Sequence, residues 1–171
     1  MNSVDLGQLS SRELLRLYAD LLTELMRREV VRSRNAPVGD LAELLVARAY
    51  RGELAPRSEK SWDVRVEGRR LQVKARLVVN GARSSQVYSP FRSWDFDACV
   101  FVLLDAYTYE VRQAVELPAS AVQDIAKEVA WVRGYRISTA IDLYALVGSV
   151  DRTAELAAAL NHLDDPGELG L

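Results

Sequence analysis

Asp63, Gln72 and Lys74 place a carboxylate, an amide oxygen and an ammonium within one short stretch, Trp62-Asp63-Val64-Arg65-Val66-Glu67-Gly68-Arg69-Arg70-Leu71-Gln72-Val73-Lys74. A carboxylate with a second oxygen donor can hold a hard divalent cation such as Mg²⁺, which takes oxygen ligands and keeps several waters. A neighbouring lysine can orient or deprotonate an attacking water, or stabilise charge growing on a phosphate. The same three residues also suit an ordinary solvated strand face, and composition alone leaves both readings open.

The elements that would position them follow from the turn. Glu67-Gly68 has the composition of a two-residue hairpin loop, with glycine supplying a positive φ. Val66 then faces Arg69, and counting back along both strands sets Asp63 opposite Gln72. Opposed residues of an antiparallel pair project to one face, and Lys74 lies two residues further along that face. Trp62, Val64, Val66, Leu71, Val73 and Ala75 fall on the other face as an apolar set, so one face is expected to be core and the other polar.

Asp63, followed nine residues later by Gln-x-Lys on the next strand, resembles the site of the PD-(D/E)xK nuclease superfamily. The resemblance covers roughly residues 37–104 and includes the element order: helix with an acid, strand with Asp, hairpin, strand with Gln-x-Lys. Glu43, in Gly39-Asp40-Leu41-Ala42-Glu43, stands for the helical acid, although an acid near a helix start can also simply complement the macrodipole. Trp62 replaces the motif's proline, and Gln72 replaces its Glu or Asp, as in the Mrr-like restriction nucleases. What the resemblance implies is a restriction-endonuclease-like α+β fold: a mixed, mostly antiparallel sheet of about five strands flanked by helices. It also implies a catalytic set of Glu43, Asp63, Gln72 and Lys74. Asp63, the Gln72 oxygen and the Val73 carbonyl would bind Mg²⁺, or Mn²⁺ as a substitute, with Glu43 helping directly or through water. Lys74 would position the nucleophilic water. The function implied is a metal-dependent DNA endonuclease, with RNA as an open substrate. The alternative is an inactive nuclease-fold module that binds nucleic acid or serves in a restriction or repair assembly, since Gln72 removes one negative charge from the site.

Composition narrows the field. The chain of 171 residues has one cysteine, Cys99, and one histidine, His162, which excludes an internal disulfide and multi-histidine metal centres. No GxGxxG or GxxxxGK[ST] pattern occurs. No apolar run approaches the ~18–20 residues that span a bilayer, and the N-terminus lacks the character of a secretory signal. A cytoplasmic protein without a membrane partner is the expectation. Net charge is −2, yet residues 60–92 carry +6 against −8 for the remainder. A basic segment around the site suits a polyanion, and it also suits the protection of hairpin edges. Arg76, Arg83, Ser84, Gln86 and Arg92 are the candidate nucleic-acid contacts.

Three regions are expected: an amphipathic helical extension over 1–36, a main domain over 37–161, and a disordered tail over 162–171. Ser10-Ser11-Arg12-Glu13 has capping-box spacing and predicts a helix to about Ser33. Its leucine face is read as packed on the chain's own sheet, with homodimerisation as the alternative. A second helix is expected over 38–50, a weak strand over 54–57, and a strand through Val79 that ends at Asn80-Gly81. Residues 80–95 read as a long polar loop, which would replace or hide the helix that the family places before its next strand. Its Tyr88, Phe91 and Trp94 would stack on bases or anchor the loop. Strands are expected over 97–104, 108–117 and 134–138, with helices from Ser120 to about Val129 and over 151–160.

Overall fold

Glu67 and Gly68 take φ of 49° and 84°, the paired positive values of a primed two-residue turn. That turn joins β2 (Val64–Val66) to β3 (Arg69–Val78) in the expected register, Val66 against Arg69 and Val64 against Leu71. The computed structural model describes residues 5–34, 37–79 and 86–164. The hairpin is extended by β1 (Glu53–Leu54) on one side, and by β4 (Ala98–Asp105), β5 (Val111–Pro118) and β8 (Val150–Asp151) on the other. The order is β1-β2-β3-β4-β5-β8, with β3 and β4 parallel and every other neighbour antiparallel. The fold is therefore α+β, built on a mixed and mostly antiparallel sheet of six strands rather than about five. A separate ribbon pairs β6 (Lys127–Val129) with β7 (Gly134–Arg136). This ribbon corrects the expected helix to Val129: α3 (Ala119–Ile125) ends early, and the Ser120 side chain caps nothing.

Both sheet faces are packed. On one, Leu71, Val73, Val100 and Val102 meet Leu41, Ala42, Leu45 and Val46 of α2 (Val38–Ala49) and Leu156 of α4 (Thr153–Asn161). On the other, Cys99, Phe101, Val115 and Leu117 meet Trp62, Tyr88, Phe91, Phe96 and Val122. The expectation of one core face and one polar face is thus corrected. Gln72 and Lys74, 9% and 8% exposed, sit under a second core. Trp62 belongs to that second core and not to the face of Val64.

The cover over Lys74 comes from the β3–β4 connection. Its described residues, 86–97, contain no helix and are held by isolated bridges, Val87 with Ser138 and Phe91 with Tyr135. Tyr88 and Phe91 are both 1% exposed, so they anchor the loop and are not available to stack on bases. Trp94 stacks on Phe91 with centroids 5.4 Å apart.

The N-terminal helix also departs from expectation. In α1 (Ser11–Arg27), Ser10 Oγ accepts from the Glu13 amide while Glu13 accepts from the Ser10 amide, the predicted capping box. The helix stops at Arg27, because Glu29 turns at φ 60° and the chain dives inward to bury Val30 and Val31. Leu14, Leu15, Tyr18 and Leu21 are exposed, and Leu22 is the helix's one buried residue. The apolar face is therefore packed only at its C-terminal end, where Leu25 and Met26 lie against the core, and its N-terminal part is left uncovered. At the other terminus His162–Asp164 are described, with Arg48 donating to the carbonyls of His162 and Leu163, so the expected disordered tail does not begin at 162. Asn80 and Gly81 lie outside the described residues, as does the rest of that expected tail. Among the described residues no helix is long and apolar enough to cross a membrane.

Candidate active site

Asp63 sits where β2 separates from β3. Its amide still donates to the Leu71 carbonyl at 2.8 Å, and its carbonyl accepts from Ala55 of the β1 edge at 2.8 Å. Beyond Leu71 the backbone ladder stops, and the Asp63 carboxylate takes the place of a backbone acceptor. Asp63 Oδ2 accepts from the Val73 amide at 2.7 Å and from Gln72 Nε2. A carboxylate that caps an exposed strand edge in this way is held rigidly by charge-assisted bonds. The Val73 carbonyl points to the same edge as its amide, by the geometry of an extended strand.

Lys74 follows on β3. Its Nζ donates to the Pro90 carbonyl at 3.3 Å and lies 4.8 Å from the centroid of the Phe91 ring. No carboxylate comes within ion-pair distance of it among the described residues. The loop, not Asp63, holds the ammonium. Burial lowers the Lys74 pKa, with Cys99, Asp63 and Glu43 opposing the shift and Arg92 adding to it.

Glu43 arrives from α2, whose small residues Ala42 and Ala47 are buried against the sheet. Burial pushes its pKa up to about 8, with Asp63 and Asp40 adding to the effect and Arg32 and Lys74 opposing it. The Asp63 pKa is also raised by burial, against the Val73 amide, Lys74, Gln72 and Arg32. Three ionisable side chains from α2, the start of β2 and β3 thus feel one another's charge in a partly desolvated cluster. Perturbed groups clustered in this way mark candidate functional sites.

The donor set fits a hard cation: two carboxylates, one amide oxygen and one backbone carbonyl, with no imidazole or thiolate in the set. Glu43 accepts no hydrogen bond from the described residues, which leaves a partly buried carboxyl open to a ligand. The Gln72 amide would have to turn its oxygen inward, since its nitrogen now faces Asp63. Among the described residues no group of three or more His, Cys, Asp or Glu is placed to hold a metal, so waters and substrate oxygens would complete the shell.

The sequence reading missed Arg32 and Asp40. Asp40 Oδ2 accepts from the Arg32 and Ser33 amides, both at 2.8 Å, while Arg32 donates to the Ala55 carbonyl. Asp40 therefore does more than complement a helix dipole, and it fixes Arg32 beside Glu43 and Asp63. No local signal announces these contacts, because they join three separate segments.

The predicted nucleic-acid contacts divide. Arg76 Nε donates to the Val87 carbonyl at 2.7 Å and is spent on the loop. The Gln86 carbonyl accepts from Thr139, whereas Arg92 is exposed. Arg83 and Ser84 lie outside the described residues. Two cations of the basic segment are also neutralised: Arg69 pairs with Glu116, and Arg70 pairs with Asp95 and Asp97. No protein-family model matches the chain, and no curated protein matches it.

Proposed function

We propose that the chain is a metal-dependent nuclease of the PD-(D/E)xK kind, acting on phosphodiester bonds of DNA in the cytoplasm. The observation that carries this reading is the convergence of Glu43, Asp63 and Lys74 in one partly desolvated cluster, with Lys74 free of any ion pair to the acids. Asp63, the Gln72 oxygen and the Val73 carbonyl would hold Mg²⁺ or Mn²⁺, with Glu43 completing the site after losing its proton. A divalent cation there supplies positive charge against the phosphate and makes a nearby water more acidic. The chain's own residues do the rest. Lys74 directs its ammonium at the phosphate and donates to the oxygen on which charge builds as water attacks. The Pro90 carbonyl and the Phe91 ring hold that ammonium in place, and the second core keeps bulk water away.

The test is cleavage of plasmid and branched DNA with Mg²⁺ or Mn²⁺, comparing wild type with Lys74→Ala. Losing one transition-state contact of this type costs ~3–4 kcal/mol, a few hundredfold in rate. Turnover that survives the substitution unchanged overturns the mechanism.

One observation favours the second reading, a nucleic-acid-binding module without catalysis: the Gln72 amide already occupies Asp63 Oδ2. The two readings separate on whether any divalent ion supports cleavage. Homodimerisation belongs to the same proposal. Leu14, Tyr18 and Leu21 are exposed at heptad spacing, a stripe that can pair with its own copy. Light scattering should give twice 19.1 kDa, and Leu21→Glu should halve the mass.

A further inference from the structure

Pro90, whose carbonyl accepts from Lys74, also lines a cleft of about 590 Å³ with Arg92, Trp131, Val132, Arg133 and Arg136. None of its three guanidinium groups forms an ion pair among the described residues. The Arg136 Nε is buried and makes no hydrogen bond. Three unneutralised arginines around one depression are an anion site in waiting. A second cleft, of about 380 Å³ beside β1, carries Glu53 and Glu59 among its lining and would repel phosphate.

Trp131 gives the cleft a second chemistry. Its indole is 78% exposed, and the Arg136 guanidinium carbon lies 4.7 Å from the ring centroid. The guanidinium covers one face of the ring and leaves the other for a planar guest. A nucleobase inside a duplex has both faces covered by its neighbours, so only an unpaired base can take that place.

The geometry ties this cleft to the candidate active site. Pro90 lines the cleft, and its carbonyl accepts from Lys74 Nζ. Phe91, under the same ammonium, exchanges two backbone hydrogen bonds with Tyr135 of β7, at 2.8 and 2.9 Å. Gly134 makes that approach possible, since a Cβ there would lie 2.5 Å from the Phe91 carbonyl oxygen. Pro90 is therefore shared by the cleft and the surroundings of Lys74, and the Phe91–Tyr135 pair ties the loop to the ribbon that carries Gly134–Arg136.

We propose that the cleft grips single-stranded DNA next to the phosphate presented to Lys74, with Arg92, Arg133 and Arg136 on phosphate oxygens and an unpaired base stacked on Trp131. This rests on the reading of the Lys74 pocket as a nucleic-acid site, and it adds a preference for single-stranded or branched substrate over continuous duplex.

The experiment is fluorescence anisotropy in EDTA, with a short mixed-sequence oligodeoxynucleotide presented single-stranded or as blunt duplex. Wild type should bind the single strand at least tenfold more tightly. Trp131→Ala should remove about tenfold of that affinity and leave duplex binding nearly unchanged, while Trp131→Phe should restore most of it. Arg133→Ala and Arg136→Ala should weaken both forms and lower the salt slope by about one phosphate each. Equal affinity for the two DNA forms, or single-strand binding untouched by Trp131→Ala, overturns the proposal even if the protein cleaves DNA. Binding with this pattern and no cleavage under any divalent ion upholds it while removing the nuclease reading.

Discussion

Glu43 carries the clearest consequence at the scale of single residues. Its carboxyl titrates near 4.5 in the unfolded chain and is pushed up to about 8 in the folded one, chiefly by burial. Between those values the native state holds a proton that the unfolded chain has released, so stability falls as pH rises across the window. In EDTA the melting temperature should therefore drop from pH 5 to pH 8, and Glu43→Gln, which cannot ionise, should flatten much of that slope. Identical slopes for the two proteins would mean that Glu43 is solvated. Gln72→Glu tests the neighbouring position. Restoring a carboxylate should tighten Mn²⁺ binding in calorimetry, and equal affinity would place the cation away from Gln72. Asp63→Ala should abolish that binding.

Among the elements, two devices keep the site in shape, and each can be broken separately. Glu116 of β5 is 6% exposed and accepts from Tyr50 at the end of α2, from Arg69 at the start of β3 and from Arg152 before α4. Burial pushes its pKa up, but Arg69 and Tyr50 outweigh this and hold it below the usual carboxylate range. Glu116→Ala should cost about 2–4 kcal/mol in urea denaturation, less than a wholly buried pair because the arginine heads are partly solvated. A loss below ~1 kcal/mol would show that the network adds little. Gly134→Ala attacks the other device. The added methyl cannot coexist with the Phe91 carbonyl, so the loop must shift, at a cost of about 1–3 kcal/mol. Turnover should fall with it, because the same loop holds Lys74. Full activity in this variant would separate the ribbon from the site.

Over the whole molecule, what could be read from the sequence was what local chemistry decides. The Glu67-Gly68 turn, the pairing of Val66 with Arg69 and the capping box at Ser10 need only neighbours in the chain, and all are present. The burial of Gln72 and Lys74 was not readable. It depends on Tyr88 and Phe91 folding over them, and on Ile137 and Tyr135 receiving that loop. The exposed face of α1 was misjudged for a related reason, since amphipathic spacing shows that a face wants a partner without naming one. The two ties of the loop, Val87 to Ser138 and Phe91 to Tyr135, also impose an order on biosynthesis. The strands bearing Asp63 and Lys74 leave the ribosome well before the residues that pin their cover. The β2–β3 hairpin alone therefore cannot bury Lys74, and its cover is complete only once residues 135–138 have joined the fold.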